Sequence, residues 1–328
     1  MTEENRIELH PAIFRPKSSM KSIRVNFIVH NGGLGDYIGH MACIEWIARY
    51  HPQVEAHLYT SDFFTPLAAY FMEKYPRWTV KPYSSLTDEQ VRTVPTFGPH
   101  YEPINGVGCH PIDLAFIYYL NMNPAPPDAV YPQISECTPY LTTTLLPENY
   151  AIMCPGIGGD NRELAPETFN AIADALIDRN LTPVFIGKHE PSMDRLIKFN
   201  DDYDLSKGLN LIDKTPLVEA LAIISKAKLI VGLDNGLLHM AGCTDIPIIF
   251  GYSIASPQHR RPRRPAGKIY EHFPNPHKLT CTFCQSKMRL MFDHDFAKCL
   301  YKDYYCLKEL ANPVPWIALI DKALEESS

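Results

Sequence analysis

The chain contains 328 residues, of which 45% are hydrophobic and 21% are charged, and its formal net charge is −6. These values are typical of a globular protein of about two domains, and the negative charge argues against a chain-wide nucleic-acid-binding surface. No apolar run reaches about 18 residues and the polar N-terminus has no signal-peptide core, so we expect no transmembrane contact and a cytoplasmic location, with peripheral membrane association left open.

The first half of the chain alternates between strand and helix patterns. Apolar runs predict three strands, and helical spacing of apolar residues predicts three helices. The strands are 22–30, 54–61 and 77–83, and the helices are 38–50, 63–75 and 111–123. Gly, Pro and His are frequent in 95–110, which predicts a loop. Strands that alternate with helices indicate a parallel sheet with right-handed crossovers.

A second alternation of strands and helices begins near residue 150. The strands are 150–156, 182–187, 228–234 and 246–253, and the helices are 165–180, 216–227, 236–244 and 313–326. We therefore predict an N-terminal α/β domain over 1–145, a C-terminal α/β domain over 146–312 and a closing helix over 313–328. Two such halves fit a GT-B glycosyltransferase, a dehydrogenase or a kinase-like enzyme.

The stretch VHNGGLGDYIGH (29–40) places four glycines around Asp36. Its spacing, Gly33-x-Gly35-x-x-x-Gly39, is one residue longer than the dinucleotide-binding fingerprint, so a nicotinamide site is the weaker interpretation. Glycines allow a sharp strand-to-helix turn and a close approach of the backbone to a ligand. An ionised Asp36 at the helix N-terminus could accept a proton from a hydroxyl, or it could simply cap the helix.

The stretch VGLDNGLLHMAG (231–242) carries the second candidate site. A strand brings Asp234, Asn235 and Gly236 to the edge of the sheet, where the backbone N–H groups of the following helix can hold a diphosphate. His239 lies three residues after Gly236 and could donate to a phosphate oxygen. The alternative is that His239 is a core histidine on an apolar helix.

Together these motifs resemble the heptosyltransferase-like glycosyltransferases of family 9. Their G-x-G-D motif is similar to Gly33-Leu34-Gly35-Asp36, and their D-[ST]-G-x-x-H-x-A motif is similar to Asp234-Asn235-Gly236-x-x-His239-x-Ala241. Segments 110–120 and 155–176 also resemble the family, so the similarity covers most of 25–255. The resemblance implies a GT-B fold, in which two Rossmann-like domains face each other across a cleft.

The resemblance also implies the chemistry. It implies inverting transfer from a nucleotide-diphosphate sugar such as ADP-heptose to an acceptor hydroxyl, without a catalytic metal. Asp36 would be the general base of the N-terminal acceptor domain. The donor would bind mainly in the C-terminal domain, with Glu219 at the nucleoside hydroxyls. Carried over by position, the donor-binding residues are Gly35, Gly158, Gly159, Glu219, Asp234, Asn235, Gly236 and His239.

The sequence departs from the family pattern at two places that matter for the donor. Asn235 stands where the family has Ser or Thr, and Glu163-Leu164-Ala165-Pro166 stands where the family has Lys-x-Trp-Pro. The phosphate-binding lysine is therefore absent from its expected place. Arg162 or Lys188 would have to substitute for it.

The run HRRPRRPAGK (259–268) is unusually basic. Its arginines could bind a phosphorylated acceptor, such as lipopolysaccharide core or nucleic acid, or they could replace the missing lysine at the donor diphosphate. A solvated loop is the alternative. The arginines are Arg260, Arg261, Arg263 and Arg264.

Four cysteines form a compact C-x2-C-x14-C-x6-C cluster in a module over 277–308: Cys281, Cys284, Cys299 and Cys306. Four thiolates at this spacing suit a tetrahedral structural zinc site, with His277 and His294 as replacement ligands. Reduced packing cysteines, an iron–sulfur cluster and disulfides are the alternatives.

The sequence therefore predicts an inverting glycosyltransferase whose acceptor is a glycan, lipopolysaccharide core or nucleic acid. The first alternative is a nucleic-acid-binding or DNA-base-glycosylating protein that uses the arginine-rich loop and the zinc module. The second alternative is an NAD-dependent enzyme.

Overall fold

The computed structural model describes residues 23–29, 33–98, 109–134, 145–155, 162–188, 201–278, 281–284, 299 and 303–327. Its contacts divide the chain into two compact units. Unit 1 comprises Met1–Ile104 and His110–Pro132, and unit 2 comprises Asn105–Cys109 and Gln133–Ser328. The sequence places the domain boundary after residue 145. Residues 135–144, which precede it, lie outside the described part of the chain, so this boundary stays a prediction.

Unit 1 is built around a four-stranded parallel sheet. Its described strands are β1 (Ile23–Val29), β2 (Val54–Thr60), β3 (Trp78–Pro82) and β4 (Thr96–Phe97), and its described helices are α1 (Leu34–Tyr50), α2 (Thr65–Met72), α3 (Asp88–Thr93) and α4 (Pro111–Leu120). The strand order is β3-β2-β1-β4. The winding direction therefore reverses at β1, which pairs with β2 on one side and β4 on the other.

Two short elements of unit 1 differ from the sequence prediction. The segment predicted as a loop over 95–110 contains β4, which pairs with β1 through Asn26 and Phe27. A two-residue strand carries no periodicity, so only its pairing partner reveals it. Helix α3 begins at a capping box, in which Thr87 and Gln90 bond each other's backbone N–H groups.

Unit 2 is built around a six-stranded parallel sheet. Its described strands are β5 (Tyr150–Met153), β6 (Thr182–Phe185), β7 (Leu209–Asn210), β8 (Ile230–Leu233), β9 (Ile248–Gly251) and β10 (Ile269–His272). The strand order β7-β6-β5-β8-β9-β10 is that of the doubly wound Rossmann fold, with its reversal at β5. The expected α/β architecture with two parallel sheets is confirmed, although β7 and β10 were not predicted.

The helices of unit 2 include one that closes the chain. They are α5 (Pro166–Ile177), α6 (Leu217–Lys226), α7 (Gly236–Ala241), α8 (Pro257–Arg260), α9 (Tyr305–Leu310) and α10 (Pro313–Glu325). Trp316 of α10 is completely buried and donates its indole N–H to the Leu310 carbonyl at 2.9 Å. A Cβ atom on Gly251 would lie 2.3 Å from the Trp316 ring, so β9 accepts this helix only with glycine there. In the described ranges, no helix is both long and apolar enough to cross a membrane.

Candidate functional site

Asp36 lies at the switch point of the sheet in unit 1. The strand order reverses at β1, and the chain that leaves β1 at Val29 enters α1 at Leu34. Open α/β sheets bind ligands in the crevice beyond the carboxyl ends of the strands at such a reversal. Asp36 stands in the first turn of α1, and its side chain is half-buried.

The start of α1 favours a charged carboxylate at Asp36. Gly33 is the N-cap of the helix, and no side chain caps it. The interpretation of Asp36 as the N-cap is therefore wrong, because that position belongs to Gly33. Asp36 instead stands within the first turn, where the partial positive charge of the helix N-terminus stabilises its ionised form. Gly35 is buried in the same turn.

The switch point of the sheet in unit 2 gathers the second set of predicted residues. Strand β5 pairs with β6 on one side and with β8 on the other. Cys154 and Pro155 follow β5 directly, and Asp234 and Asn235 follow β8. A pocket at these strand ends is lined in part by Cys154, Pro155, Arg162 and Asn235.

A buried charge network surrounds Asp234, which is 5% exposed. Its Oδ1 lies 3.0 Å from Nε2 of His239, which is 2% exposed, and its Oδ2 lies 3.9 Å from Nε of Arg260. Burial acts to raise the pKa of Asp234, but the hydrogen bond from His239 and the charges of Arg260, His239 and Arg162 outweigh it. The pKa of Asp234 therefore lies well below its usual range, and the carboxylate is ionised. Two arginines thus stand near one carboxylate.

Asn235 and His239 have hydrogen-bond partners within unit 2 that the sequence did not indicate. Asn235 is the N-cap of α7, and its Oδ1 accepts from the N–H groups of Leu237 and Leu238. His239 was predicted to donate to a phosphate, but its Nε2 is bonded to Asp234 inside the unit. Both side chains therefore shape the D-N-G turn. The Asn235 cap holds in place the backbone at Gly236, the first residue of α7.

The basic run at 259–268 is engaged within unit 2. Arg260 approaches Asp234, and Arg261 pairs with Glu271 at 3.1 Å. Nη1 of Arg264 donates to the carbonyls of Thr244 and Ile246 at 2.8 and 2.9 Å, and Nη2 donates to that of Lys268 at 2.7 Å.

Burial lowers the pKa of Arg264 to about 10, while the charges of Asp245 and Cys243 act to raise it. Arg263 is half-buried. Arg260, Arg261 and Arg264 all have acceptors within unit 2, and the two carboxylates among these acceptors offset part of the positive charge that nucleic acid would need.

The remaining predicted donor residues are placed as follows. Glu219 is buried in the first turn of α6. Lys188 is half-buried and lies three residues after the end of β6. Gly158 and Gly159 lie outside the described residues.

The four clustered cysteines lie near one another. Burial and the charges of Cys284, Cys299 and Cys281 raise the pKa of Cys306 to about 11, against a hydrogen bond from the Leu307 backbone. All four are free thiols and half-buried. Among the residues that the structure describes, however, no group of three or more His, Cys, Asp or Glu side chains is arranged to hold a metal ion. The zinc site predicted from their spacing is therefore not shown.

His40 is a polar residue near Asp36 that does not stand out in the sequence. It lies one helical turn after Asp36 in α1, is 5% exposed, and its Nδ1 lies 3.1 Å from the hydroxyl oxygen of Tyr119 in α4. Burial lowers the pKa of His40, and the charge of Asp36 acts to raise it. The spacing of four residues is the signal that could have linked the two, because such pairs share one helix face.

Comparison with known proteins gives one matching family and several structures of similar fold. The sequence profile of glycosyltransferase family 9 (heptosyltransferase) matches residues 125–289. A comparison with curated protein sequences gave no match.

Among solved structures, the iron-containing dodecameric glycosyltransferase TibC from enterotoxigenic E. coli H10407 superposes with a TM-score of 0.72 at 16% identity, covering 94% of this chain and 78% of TibC. TibC has also been solved in complex with ADP-D-beta-D-heptose.

Two further structures share the fold. The E. coli ADP-heptose lipopolysaccharide heptosyltransferase II gives a TM-score of 0.55 at 15% identity, with 91% of this chain and 100% of that chain covered. A family 9 glycosyltransferase from Veillonella parvula gives 0.58 at 12% identity, with 92% and 98% covered. At these identities the structural likeness speaks for the fold.

Proposed function

Because the chain belongs to glycosyltransferase family 9, we propose that it transfers a sugar from ADP-heptose or a closely related nucleotide-diphosphate sugar to an acceptor hydroxyl. The observation that carries this proposal is the D-N-G turn at the switch point of unit 2, which lies within the matched residues and has Arg162 and Arg260 beside its buried carboxylate. The complex of TibC with ADP-D-beta-D-heptose supports the choice of donor.

Arg162 and Arg260 are proposed to replace the family's missing lysine at the donor diphosphate. Both guanidinium groups act electrostatically on Asp234, next to the capped N-terminus of α7. Asp234 offsets one of the two positive charges, so one remains to balance the charge that develops on the departing diphosphate. Lys188, Gly158 and Gly159 are proposed to line the same phosphates, and Glu219 to bind the nucleoside hydroxyls.

Asp36 is proposed as the general base. The acceptor oxygen attacks the anomeric carbon as the bond from that carbon to the diphosphate oxygen breaks, and Asp36 takes the acceptor's proton. A single displacement of this kind inverts the anomeric configuration. The position of Asp36 at the sheet reversal, in the first turn of α1, supports its role as the base.

The acceptor is proposed to be a glycan hydroxyl of the lipopolysaccharide-core type. The heptosyltransferase II relative acts in lipopolysaccharide synthesis by its name. Arg260 and Arg261 pair with carboxylates and Arg264 donates to backbone carbonyls, which favours a glycan acceptor over nucleic acid. The NAD-dependent alternative is disfavoured because the family match covers the D-N-G turn of unit 2, and the glycine spacing at 33–39 is one residue longer than the dinucleotide-binding fingerprint.

The experiment for the donor site measures binding to the full chain by calorimetry, using ADP-heptose and the ADP-, UDP-, GDP- and CDP-sugars in parallel. We expect ADP-heptose to bind most tightly. Arg162→Met and Arg260→Met should each weaken ADP binding by about tenfold, roughly 1.4 kcal/mol, and Arg261→Met is the matched control from the same loop. Equal binding of all donors, or unchanged binding in both variants, would contradict the proposed donor site.

The experiment for the base uses Asp36→Asn. This variant should bind ADP-heptose as the wild type does, because the residues proposed at the donor diphosphate lie in unit 2. It should turn over about 10²-fold more slowly or worse, because the acceptor hydroxyl keeps its proton. Unchanged turnover would exclude Asp36 as the base.

Cys281, Cys284, Cys299 and Cys306 are proposed to bind one structural metal ion. The supporting observation is that Cys281, Cys284 and Cys299 each act electrostatically on Cys306, and thiolates are ligands that both zinc and iron take. TibC is described as iron-containing.

Elemental analysis of the purified chain should find about one zinc or iron ion per molecule. Cys284→Ser should lose the ion, and Cys109→Ser, which changes a half-buried thiol outside the cluster, should keep it. A metal-free wild type would overturn the proposal.

A further inference from the structure

A chain of buried hydrogen bonds runs from α1 to the end of β1. His40 Nδ1 lies 3.1 Å from the Tyr119 hydroxyl, and that hydroxyl donates to the Ile28 carbonyl at 3.0 Å. His40 is 5% exposed and Tyr119 is 1% exposed. Ile28 is the next-to-last residue of β1. The chain therefore links three elements around the turn that carries Asp36.

The direction of these hydrogen bonds fixes the proton on His40. A carbonyl can only accept, so the single proton of the Tyr119 hydroxyl belongs to its bond with Ile28. The hydroxyl oxygen must then accept from His40, so Nδ1 carries a hydrogen atom. Burial lowers the pKa of His40 to about 4, although the charge of Asp36 acts to raise it. At neutral pH the ring is therefore uncharged, and its Nε2 carries a lone pair.

The packing around this chain holds the first turns of α1 in place. The His40 ring meets Tyr119 edge-on, with ring centroids 5.5 Å apart, and lies parallel to Tyr118 at 6.2 Å. One residue earlier, a Cβ atom on Gly39 would lie 2.4 Å from Cβ of Pro111 at the start of α4. Helices α1 and α4 are therefore in close backbone contact at the turn that follows Asp36.

The titratable groups that act on the pair within the described residues are neutral, with the exception of Asp36. Tyr37, Cys43 and Tyr118 act electrostatically on Tyr119, and burial raises the pKa of Tyr37, Cys43 and Tyr119 above their ordinary values. Asp36 is thus the one group among these whose charge His40 meets at neutral pH.

We propose that His40, held by Tyr119 as the neutral Nδ1–H tautomer, is a positioning residue for Asp36; this rests on the proposed role of Asp36 as the base. The chain of hydrogen bonds fixes the first turn of α1 and so the direction of the carboxylate. The uncharged ring also leaves the basicity of Asp36 intact. A charged imidazolium in the same place would stabilise the carboxylate and weaken it as a proton acceptor.

The first test reads the tautomer directly. In the full chain labelled with ¹⁵N-histidine, the His40 signal is assigned by its loss in His40→Asn. We expect nitrogen shifts of the neutral Nδ1–H form at pH 7. Tyr119→Phe, which removes the hydroxyl and keeps the ring, should abolish that preference. An Nε2–H tautomer in the wild type, or an unchanged spectrum in Tyr119→Phe, would overturn the proposal.

The second test measures hydrolysis of ADP-heptose, in which water replaces the acceptor and gives its proton to Asp36. Tyr119→Phe and His40→Leu should each lower kcat by about tenfold while KM for ADP-heptose stays constant, because the residues proposed at the donor diphosphate lie in unit 2. His40→Asn should recover most of kcat, since its amide N–H occupies the place of Nδ1–H. A structural defect alone would not be rescued in this way.

Asp36→Asn separates the two levels of the proposal. If Asp36→Asn abolishes hydrolysis while His40→Leu and Tyr119→Phe keep the wild-type kcat, the positioning role is wrong and the base assignment stands. If Asp36→Asn hydrolyses the donor at the wild-type rate, the proposed base is wrong, and the tautomer measurement still reports on His40 by itself.

Discussion

Replacing Arg264 by methionine tests whether the basic loop supports the fold or binds a ligand. Its guanidinium donates to the carbonyls of Thr244, Ile246 and Lys268, and at 3.4 Å to that of Ala241. These carbonyls belong to the end of α7, to the segment between α7 and β9, and to the residue that precedes β10. Arg264 therefore binds the end of α7 opposite to the D-N-G turn.

The magnitude follows from the acceptors that lose their donor. The Ala241 carbonyl also accepts from Thr244 N at 3.0 Å, and the Lys268 carbonyl also accepts from Ile248 N at 3.0 Å, so these two keep a partner. The loss falls mainly on Thr244 and Ile246, at about 1–3 kcal/mol for each buried acceptor. Because a methionine side chain at this position carries no desolvation cost of a buried charge, we expect the free energy of unfolding to fall by about 2–4 kcal/mol.

Urea unfolding of the full chain, followed by circular dichroism, measures this loss, and calorimetry measures ADP binding under native conditions. Arg261→Met is the matched control: its ion pair with Glu271 is at the surface and should contribute at most about 1 kcal/mol. If Arg264→Met unfolds like the wild type but binds ADP tenfold more weakly, Arg264 is a ligand-binding residue as the sequence suggested, and the structural interpretation is refuted.

Three further predictions concern the two switch points. Gly39→Ala should lower the free energy of unfolding by about 1–3 kcal/mol, because the added Cβ atom would overlap Pro111. Gly33→Ala is the control and should unfold at nearly the wild-type temperature, because its Cβ atom would lie 4.0 Å from Asp36 Oδ2. His40 has a pKa near 6.5 in the unfolded chain and about 4 in the folded chain. Its neutral form therefore contributes fully to the free energy of unfolding above pH 6.5, and this contribution is lost as the pH falls from 6.5 to about 4. Relative to His40→Asn, the wild type should lose roughly 3 kcal/mol between these limits in urea titrations, and parallel pH dependences would contradict the buried neutral ring. Asn235→Ala should cost about 1–2 kcal/mol in thermal or urea unfolding by removing the N-cap of α7, whereas Asn235→Ser, which restores the family's residue type, should cost little; equal losses would show that the cap is not what Asn235 contributes.

The long periodic elements were predictable because their side chains repeat with the period of the backbone. The patterns at 54–61, 77–83 and 165–180 correspond to β2, β3 and α5 within a few residues. The two-residue strands β4 and β7 were missed because they carry too little periodicity, and β10 was missed because only one of its four residues is buried. Pro166 marked the start of α5 by local chemistry, whereas Asn121, with φ 51°, ends α4 at Leu120, three residues before the predicted end at 123.

The candidate site divides in the same way. The sequence alone determined that Asp36 and the D-N-G turn follow apolar strands, because that order is written along the chain. Only the tertiary structure decided that both strands end at a sheet reversal, that Arg260 and Arg162 act on Asp234, and that Arg264 donates to backbone carbonyls. The sequence shows which charged residues are present, but which of them contact each other across long sequence separations depends on how the chain packs. That is the physical reason why the roles of the individual arginines in the basic run stayed open in the sequence, and why the link between His40 and Tyr119, 79 residues apart, appeared only in the fold.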